Sequence, residues 1–514
     1  MRQRLRIFFT GKNALLFFIF SLIVYAFAEK IILFTEFSIK YTDEDQCIQW
    51  LAADELMHGH FREPCFFGQD YNSCLEGWLS IPFLVMGLQF SEAIPLTTLL
   101  MSCLPFLLLI IFFLKKKEYA LTVVILFFFL YFSLNYKLIS ILPRGFITGV
   151  FCFGIGYAFL LRNTKYRFFW FSFFAFFGIV FNETTFFLMF PVFCIYWKQN
   201  YRLKQFYLQG FLGSTIPLVY KIYAYVFYNV THPKYKYFTK PKFQWDFKNL
   251  SSAVSHLDEW LFNDFTLIFI SFIVLVCLFI FKKQYFNLCI VVVTFVLITM
   301  MFGLVRTLEG TESIMFNKSR LFVFFPFLLA VLFSIIIPAF KLNLKAQSFI
   351  SLALFILVSI RCFGQQNRLE HKITEEVLRN DKIVSFLPVK DVFKLSYKYI
   401  YICKATHNTI ILYDAMKQEN FILYITIPLL SGNKIKTFSP TFDRRLWVFS
   451  SLINTQPEKV LISGNFKDRY NNKRLNSYKR RIIFANDENW LVEYKLNKTI
   501  GNTCKDFTLR LRGY

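Results

Sequence analysis

The sequence predicts an all-α polytopic membrane protein with about 11–13 transmembrane helices and a small C-terminal extracytoplasmic α/β domain. Its 514 residues are 56% hydrophobic and include 70 Phe, which is more apolar surface than a water-soluble chain of this length can bury. Long apolar segments recur over the first two thirds of the chain. Hydropathy falls after about residue 362, where short runs of strand-forming residues begin. The expected division is a membrane domain at 1–362 and an α/β domain at 363–514.

Eight apolar segments come close to the roughly 20 residues that a helix needs to cross a bilayer. They lie at 14–34, 94–114, 120–134, 206–228, 265–281, 286–305, 321–340 and 347–360. The first follows a basic start but is too long for a signal-peptide core, so we expect it to be retained as a span. Three shorter apolar segments leave the span count open, because each could cross or turn back; they are 75–90, 168–181 and 184–197.

Basic residues cluster between the apolar segments, and such clusters mark cytoplasmic loops. They occur before the first span and at 115–117, 162–167, 198–204, 282–283 and 341–345. This pattern predicts a cytoplasmic N-terminus and an outer C-terminal domain, and it exposes three polar regions on the outer face, at 36–73, 229–264 and 306–319. The net charge of +25 then reflects cytoplasmic loops and contacts with anionic membrane lipids, so we expect no nucleic-acid partner.

The C-terminal region alternates short apolar runs with polar turns, which is typical of a small α/β domain. We predict strands at 399–403, 409–412, 421–427, 459–462, 481–484 and 490–494, and a helix at 372–384. In the first outer loop, Cys65 and Cys74 could form a disulfide in an oxidising compartment or remain free thiols.

The first outer loop, residues 36–74, holds the most informative segment of the chain. Apolar residues at helical spacing between 48 and 56 predict an amphipathic helix on the membrane surface, with Thr42 as its N-cap. Asp43, Glu44 and Asp45 occupy its start. The three acids could have no role beyond stabilising the start of this helix. Alternatively, a carboxylate at the boundary of water and lipid could meet an acceptor hydroxyl and a lipid-anchored electrophile.

The order of motifs in this loop resembles the first periplasmic loop of the GT-C superfamily of membrane glycosyltransferases. The motifs are the pair Asp43-Glu44, a surface helix ending at Gly59, and the run 66–79, Phe-Phe-Gly-Gln-Asp-Tyr-Asn-Ser-Cys-Leu-Glu-Gly-Trp-Leu. The similar branch is bacterial and is related to the protein O-mannosyltransferases and the aminoarabinose transferases. The resemblance is specific over residues 41–90 and implies a GT-C-like fold.

The chain departs from the family pattern at three places. Asp45 replaces the small residue that commonly follows the acidic pair, and Asn72-Ser73-Cys74 replaces a turn that contains Gly. The Lys-Pro-Pro motif of the aminoarabinose enzymes is absent, so their substrate is not carried over.

The resemblance implies an inverting glycosyltransferase, transferring a hexosyl or pentosyl group from a polyprenyl-phosphate donor in the bacterial inner membrane during cell-envelope synthesis. Asp43 is the expected general base, with Glu44 beside it. Asp43 would take the proton of an acceptor hydroxyl that attacks the anomeric carbon on the outer, periplasmic side. The family also leaves open a divalent cation cofactor. The sequence assigns it no ligands, and His58-Gly59-His60 lacks a third ligand at helical spacing.

Four cations lie at the predicted outer ends of spans, where they could grip the donor phosphate. They are Arg144, Arg306, Lys318 and Arg320, and the family pattern favours Arg320. Each could instead be an interfacial anchor that extends toward lipid headgroups.

Three further residues are candidates for substrate binding. Glu76 opens an apolar segment, where an ionisable group is a functional candidate, although a helix start also favours an acid. Gln69 and Tyr71 could donate hydrogen bonds to sugar hydroxyls or only shape the loop.

Other functional classes compete with this interpretation. A lipid-linked saccharide flippase or transporter would also have many spans, but such proteins usually carry repeated halves, and no repeat is present here. An envelope polysaccharide polymerase or ligase would share the lipid-linked substrate, and a relative without activity could serve as a scaffold. The acid-rich first loop favours the transferase.

Overall fold

The computed structural model of the protein describes residues 11–236, 245–248, 250–251, 267–304, 323–366, 369–380, 386–413, 418–438, 445–464, 479–485 and 490–506. Its first part is a bundle of mostly apolar helices, and its last part adds a small mixed sheet. The helices of the first part are α1 Lys12–Leu33, α2 Glu44–Met57, α3 Leu75–Leu79, α4 Ile81–Val85, α5 Phe90–Lys115, α6 Tyr119–Leu130, α7 Leu134–Ser140, α8 Thr148–Leu161, α9 Arg167–Phe181, α10 Phe186–Asn200, α11 Lys204–Val226, α12 Leu267–Phe281, α13 Tyr285–Leu304, α14 Phe325–Ile336 and α15 Leu344–Gln366.

Each of the eight predicted spans coincides with a helix, and one of them is broken. The predicted span 120–134 ends early as α6, and the chain then bends by 91° into α7. Ser133 caps α7, because its side chain accepts a hydrogen bond from the Tyr136 N–H at 3.2 Å. The segment 75–90, for which the sequence left open whether it crosses or turns back, forms the short helices α3 and α4.

Among the described residues, three helices are long and apolar enough to cross a membrane: Lys12–Ser38, Phe90–Lys115 and Leu344–Arg361. The bent pair α6 and α7 adds a fourth if it counts as one span. Shorter apolar helices accompany them: α8, α9, α12, Tyr285–Met301 and Phe325–Phe340. The chain is therefore an integral membrane protein, and the predicted count of about 11–13 spans stays a prediction.

Helix α6 lies inside the bundle. All of its side chains are buried, and it packs against α1, α5, α14 and α15. Aromatic side chains fill the space around it. The rings of Phe106 and Phe129 are 4.9 Å apart, and those of Phe106 and Phe327 are 5.1 Å apart. An apolar surface on every side is what a helix enclosed by others requires.

The C-terminal part contains a five-stranded sheet of order β4-β3-β5-β7-β6, in which β3 runs parallel to β4 and β5 while β7 is antiparallel to β5 and β6. A separate two-stranded ladder joins β1 to β2. The strands are β1 Tyr41–Thr42, β2 Leu387–Pro388, β3 Ile410–Tyr413, β4 Lys436–Phe438, β5 Lys459–Gly464, β6 Arg480–Ala485 and β7 Trp490–Lys495. The helices are α16 Leu369–Asn380, α17 Val389–Thr406, α18 Gln418–Leu430, α19 Leu446–Leu452 and α20 Ile500–Asp506.

Two of the predicted strands are wrong, because 399–403 lies in α17 and 421–427 lies in α18. In α17 the buried residues Val392, Ser396, Tyr399 and Cys403 recur at helical spacing, which the short apolar window concealed. Helix α18 packs against α17 on one side and α2 on another, so its apolar run is continuous and resembles a buried strand. The other predicted strands and the helix at 372–384 are found close to their expected places.

The structure also corrects the placement of α2, which does not lie on the membrane surface. Every residue from 46 to 55 is buried, and α2 packs against α18. Pairing of Tyr41 with Pro388 and of Thr42 with Leu387 ties the start of α2 to the C-terminal part. The apolar side chains of α2 therefore pack into a core shared with the α/β part rather than into lipid.

Candidate active site

Asp43 caps the N-terminus of α2, in place of the predicted Thr42, which belongs to β1. Its Oδ1 accepts a hydrogen bond from the Gln46 N–H, and its Oδ2 accepts one from Gln46 Nε2, each at 3.0 Å. Asp43 has the extended backbone of a cap residue immediately before the helix, whereas Thr42 lies one residue earlier and pairs with Leu387 in the β1–β2 ladder. The cap fixes the orientation of the Asp43 carboxylate.

Arg144 approaches Asp43 from the loop between α7 and α8. Its Nε lies 3.1 Å and its Nη2 lies 2.9 Å from Asp43 Oδ2, and its Nη1 lies 3.5 Å from Asp45 Oδ2. Asp43 is 1% exposed and Arg144 is 4% exposed, so their charges face each other away from water. Burial lowers the pKa of Arg144, but the carboxylates of Asp43 and Asp45 outweigh it and raise that pKa overall. The guanidinium is therefore permanently charged.

The other two acids at the start of α2 are more accessible. Glu44 and Asp45 are partly exposed, whereas Asp43 is enclosed. Asp45 shares the guanidinium of Arg144 with Asp43. The structure thus separates the three acids by burial, and it brings Asp43, rather than Glu44, into direct contact with a buried cation.

Glu76, at the start of α3, contacts the same loop. Its Oε2 accepts hydrogen bonds from the Gly145 N–H at 2.6 Å and from Gln49 Nε2 at 3.3 Å. Its side chain is fully buried, and this burial raises its pKa to about 8, although the Gly145 hydrogen bond opposes the shift. Glu76 is therefore mostly protonated at neutral pH and joins α2, α3 and the Arg144 loop.

Asn72 and Gly145 fit together at the base of the Arg144 loop. Asn72 Nδ2 donates to the Arg144 carbonyl at 2.7 Å, and Asn72 has a left-handed φ of 67°. Asn tolerates this conformation, which explains how it replaces the family's Gly-containing turn. Gly145 has a φ of +78°, and a Cβ added there would lie 2.0 Å from Asn72 Oδ1. Only glycine fits at position 145 without moving Asn72.

The remaining predicted site residues are less closely joined to Asp43. Gln69 and Tyr71 are partly buried in the loop that leads to Asn72. Arg306, Lys318 and Arg320 lie outside the described residues, as does the rest of the predicted outer region 306–319. The structure therefore brings Asp43, Glu76 and Arg144 together, places Gln69 and Tyr71 in the adjoining loop, and leaves the late cations as predictions.

The histidines and cysteines of the first loop do not form a metal centre. His58 and His60 approach separate carboxylates, Asp54 at 3.5 Å and Glu55 at 3.3 Å. Within the described ranges, no group of three or more His, Cys, Asp or Glu side chains is placed to hold a metal ion. Cys65 and Cys74 are buried and are not joined by a disulfide.

Sequence reasoning missed the glutamines that hold this cluster. Gln46 follows Asp43 by three residues, which is the spacing of a capping box and could have predicted their contact. Gln49 had no such signal, because its partners are the Ser73 carbonyl at 3.2 Å, the Gly77 N–H at 3.1 Å and Glu76. Only tertiary packing brings these groups together.

A second buried pair was also missed. Glu29 of α1 forms an ion pair with Lys137 of α7, and each is 2% exposed. Tyr25 donates to Glu29 at 3.3 Å, and the neighbouring Lys30 lies over the ring of Phe129. The charged dipeptide Glu29-Lys30 inside the first apolar segment was a usable signal, because ionisable groups at that depth are rare.

Comparison with known proteins shows which solved structures share the overall fold of this chain. No family model and no curated protein matches the sequence. Among solved structures, ArnT from Cupriavidus metallidurans in the apo state matches with a TM-score of 0.52 at 10% identity, covering 92% of this chain and 97% of that chain. This chain has the fold of ArnT.

A second structure of ArnT from the same organism, bound to undecaprenyl phosphate, matches with a TM-score of 0.51 at 10% identity and the same coverage. At this identity the two matches show a shared fold, and they confirm the expected similarity of fold. The match extends over both the helical bundle and most of the C-terminal part, whereas the motif resemblance was specific only over residues 41–90.

Proposed function

We propose that this protein is an inverting glycosyltransferase that moves a sugar from a polyprenyl-phosphate donor to an acceptor hydroxyl. The fold of ArnT, one structure of which is bound to undecaprenyl phosphate, supports this class of donor. The observation that carries the proposal is the buried contact between Asp43 and Arg144. We place this cluster and the C-terminal part on the outer, periplasmic side of the bacterial inner membrane, in accord with the predicted loop charges.

The Asp43–Arg144 contact joins the two groups that such a reaction needs. A guanidinium donates parallel hydrogen bonds to a carboxylate, and the same fork matches a phosphate. When a donor phosphate engages Arg144, it competes with Asp43 for the guanidinium. Asp43 then keeps the Gln46 donors and has an oxygen available to the acceptor hydroxyl. Donor binding and activation of the base are coupled in this way.

The transfer itself then follows with charge and protons in balance. Asp43 accepts the proton of the acceptor hydroxyl while the hydroxyl oxygen forms a bond to the anomeric carbon. The bond between that carbon and the phosphate oxygen breaks on the opposite side, and polyprenyl phosphate leaves with the electron pair. Arg144 stabilises the negative charge of the leaving phosphate, and inversion at the anomeric carbon results.

Glu76 acts in this scheme as a positioning residue. Its contacts are with the Gly145 N–H and with Gln49, so it fixes the loop that carries Arg144 rather than facing the carboxylate of Asp43. Gln69 and Tyr71 adjoin the same loop and remain the predicted contacts for sugar hydroxyls. Arg306, Lys318 and Arg320 remain the predicted additional contacts for the donor phosphate.

The test is release of polyprenyl phosphate when the purified full-length protein is incubated with radiolabelled polyprenyl-phosphate sugars and a bacterial envelope extract that supplies acceptor hydroxyls. Asp43→Asn keeps an oxygen for the helix cap but removes the base, so we expect turnover to fall by at least about 100-fold. Asp45→Asn is the matched control, because Asp45 contacts the same guanidinium without occupying the cap. We expect it to retain most of the activity.

Gel filtration and thermal unfolding of both variants separate loss of chemistry from loss of folding. An Asp43→Asn protein that turns over at the wild-type rate would remove the assignment of the base. Recovery of intact donor, with no polyprenyl phosphate released by wild type across hexosyl and pentosyl donors, would contradict the transferase function.

A further inference from the structure

A cavity of about 410 Å³ lies between the C-terminal end of α2 and the C-terminal part of the chain. We call it the junction pocket. Glu55, His60 and Arg62 line it from the first loop, and Lys436, Arg445 and Trp447 line it from β4 and the start of α19. A cavity of this size is typical of small-molecule sites, which often form where two parts of a protein meet.

The junction pocket is lined by more positive than negative charge. Arg62, Lys436 and Arg445 contribute three cations, and Glu55 contributes a single carboxylate. That carboxylate is already engaged, because Glu55 Oε2 accepts a hydrogen bond from Arg62 Nε at 2.7 Å and lies 3.3 Å from His60 Nδ1. The charge balance of the lining therefore favours an anion.

Arg445 gives the pocket a fixed cationic wall. It is 2% exposed and donates from Nη2 to the Thr437 carbonyl at 2.7 Å and to Thr437 Oγ1 at 3.0 Å. Its guanidinium also lies 4.4 Å from the centre of the Tyr424 ring. These contacts hold the cation in one position, which reduces the ordering cost when a ligand binds.

Trp447 adds an aromatic wall. The guanidinium of Arg62 lies 4.6 Å from the centre of its ring, so the two side chains form a stacked pair across the junction. This contact places the partly exposed Arg62 cation at the pocket beside an apolar surface.

We propose that the junction pocket is a second ligand site, which binds a phosphate-bearing small molecule or headgroup. It is distinct from the Asp43 cluster, because α2 has 14 residues and the two sites adjoin its opposite ends, about 20 Å apart at 1.5 Å per residue. Arg62, Lys436 and Arg445 meet the phosphate, and the ring of Trp447 packs against the rest of the ligand. The same phosphate chemistry can come from a soluble sugar phosphate or from a lipid headgroup.

The experiment is isothermal titration calorimetry on the full-length protein in neutral detergent. The probes are glucose 6-phosphate, a short-chain phosphatidic acid, and uncharged glucose. The variants are Arg62→Gln and Lys436→Gln, whose side chains are accessible enough to be changed without disturbing the core. Lys434→Gln is the matched control, because Lys434 is exposed two residues from Lys436 but does not line the pocket.

We expect at least one phosphate probe to bind, with uncharged glucose bound at least about tenfold more weakly. Arg62→Gln and Lys436→Gln should each weaken binding of that probe about tenfold, and Lys434→Gln less than about twofold. Preference for glucose 6-phosphate indicates a soluble ligand, and preference for phosphatidic acid indicates a headgroup; either supports the site. No binding of either phosphate probe, equal binding of glucose, or equal losses in all three variants would overturn it. No sugar donor is present, so the outcome is independent of the proposed transferase activity.

Discussion

The two ends of helix α2 carry the same kinds of charge in opposite surroundings. At the N-terminal end, Asp43 and Arg144 are both almost fully buried. At the C-terminal end, the side chain of Glu55 is 11% exposed, while its partners Arg62 and His60 are 34% and 54% exposed. The helix dipole favours both arrangements, because it attracts an anion at the first turn and cations after the last turn.

This difference in burial separates what each end can do. Buried opposite charges depend on each other, because removal of one leaves the other charge buried with neither a partner nor solvent to stabilise it. At the C-terminal end, Glu55 is buried but its partners Arg62 and His60 reach water, so the pair is partly screened and its cations can exchange partners with a ligand. We therefore assign the fixed chemistry of the protein to the N-terminal end of α2 and an exchangeable ligand to the C-terminal end.

The largest expected effect is on stability when the buried cation is removed. Arg144→Gln leaves the Asp43 carboxylate buried without its guanidinium, and we expect a loss of about 3–5 kcal/mol. Arg62→Gln is the matched change at the other end of α2 and should cost less than about 1 kcal/mol. Unfolding of the purified variants by titration with sodium dodecyl sulfate measures both.

A double variant sharpens this result. Adding Asp43→Asn to Arg144→Gln removes the stranded carboxylate, so it should restore a large part of the lost stability. If the double variant is as unstable as the sum of the two single variants, then Asp43 and Arg144 are not energetically coupled as their geometry indicates.

The next effect concerns two glycines. Gly145 lies in the loop that contacts the N-terminal end of α2, and Gly59 follows the C-terminal end of α2. Gly145 and Gly59 have nearly the same φ, +78° and +79°, but only Gly145 has an atom in the way of a Cβ. Gly59→Ala should therefore cost about 1–2 kcal/mol from backbone strain alone. Gly145→Ala should cost about 2–4 kcal/mol, because Asn72 must also move and weaken its hydrogen bond to the Arg144 carbonyl.

The same unfolding measurement tests this pair of glycines. Equal losses of stability in the two alanine variants would show that Asn72 does not confine the Arg144 loop. A larger loss in Gly145→Ala, accompanied by reduced turnover, would link that loop to the site.

The remaining expected effect is a pH dependence that arises at Glu76. Its pKa of about 8 in the folded protein lies above the ordinary value of 4.5, so the folded state binds the proton more tightly than the unfolded state. The stability from this group is complete below pH 4.5 and is lost as pH rises toward 8, by at most about 1.4 kcal/mol per pH unit.

Glu76→Gln stays neutral at every pH and keeps an oxygen for the Gly145 N–H, so its stability should lack this slope. Thermal unfolding midpoints between about pH 5 and about pH 8 compare the variant with wild type. Parallel profiles would mean that Glu76 does not titrate in this range.

The sequence predicted much of the fold, because long apolar segments have few alternatives to membrane helices. Each of the eight segments coincides with a helix, whereas the sequence left open whether the segment 75–90 crosses. The error at 421–427 arose because α18 is covered by α2 and α17, which removes the periodicity that distinguishes helix from strand, and the error at 399–403 arose because the window was too short to show the helical spacing of α17.

The candidate site was predictable in part for similar reasons. Asp43 and Arg144 could be selected separately, one from its loop and the other from its position beside a span. Their contact joins residues 101 positions apart and could not be read from local patterns. The assignment of α2 to the membrane surface was wrong, because the partner that covers it, α18, lies more than 350 residues later in the chain.

The sequence alone determined that this chain enters a membrane and that an acidic helix start follows its first apolar segment, because hydropathy and capping are local properties of the chain. Tertiary structure alone decided which acid is buried, which cation faces it and how two loops close around Glu76. Those outcomes depend on desolvation, and a side chain loses water only when distant parts of the chain pack against it.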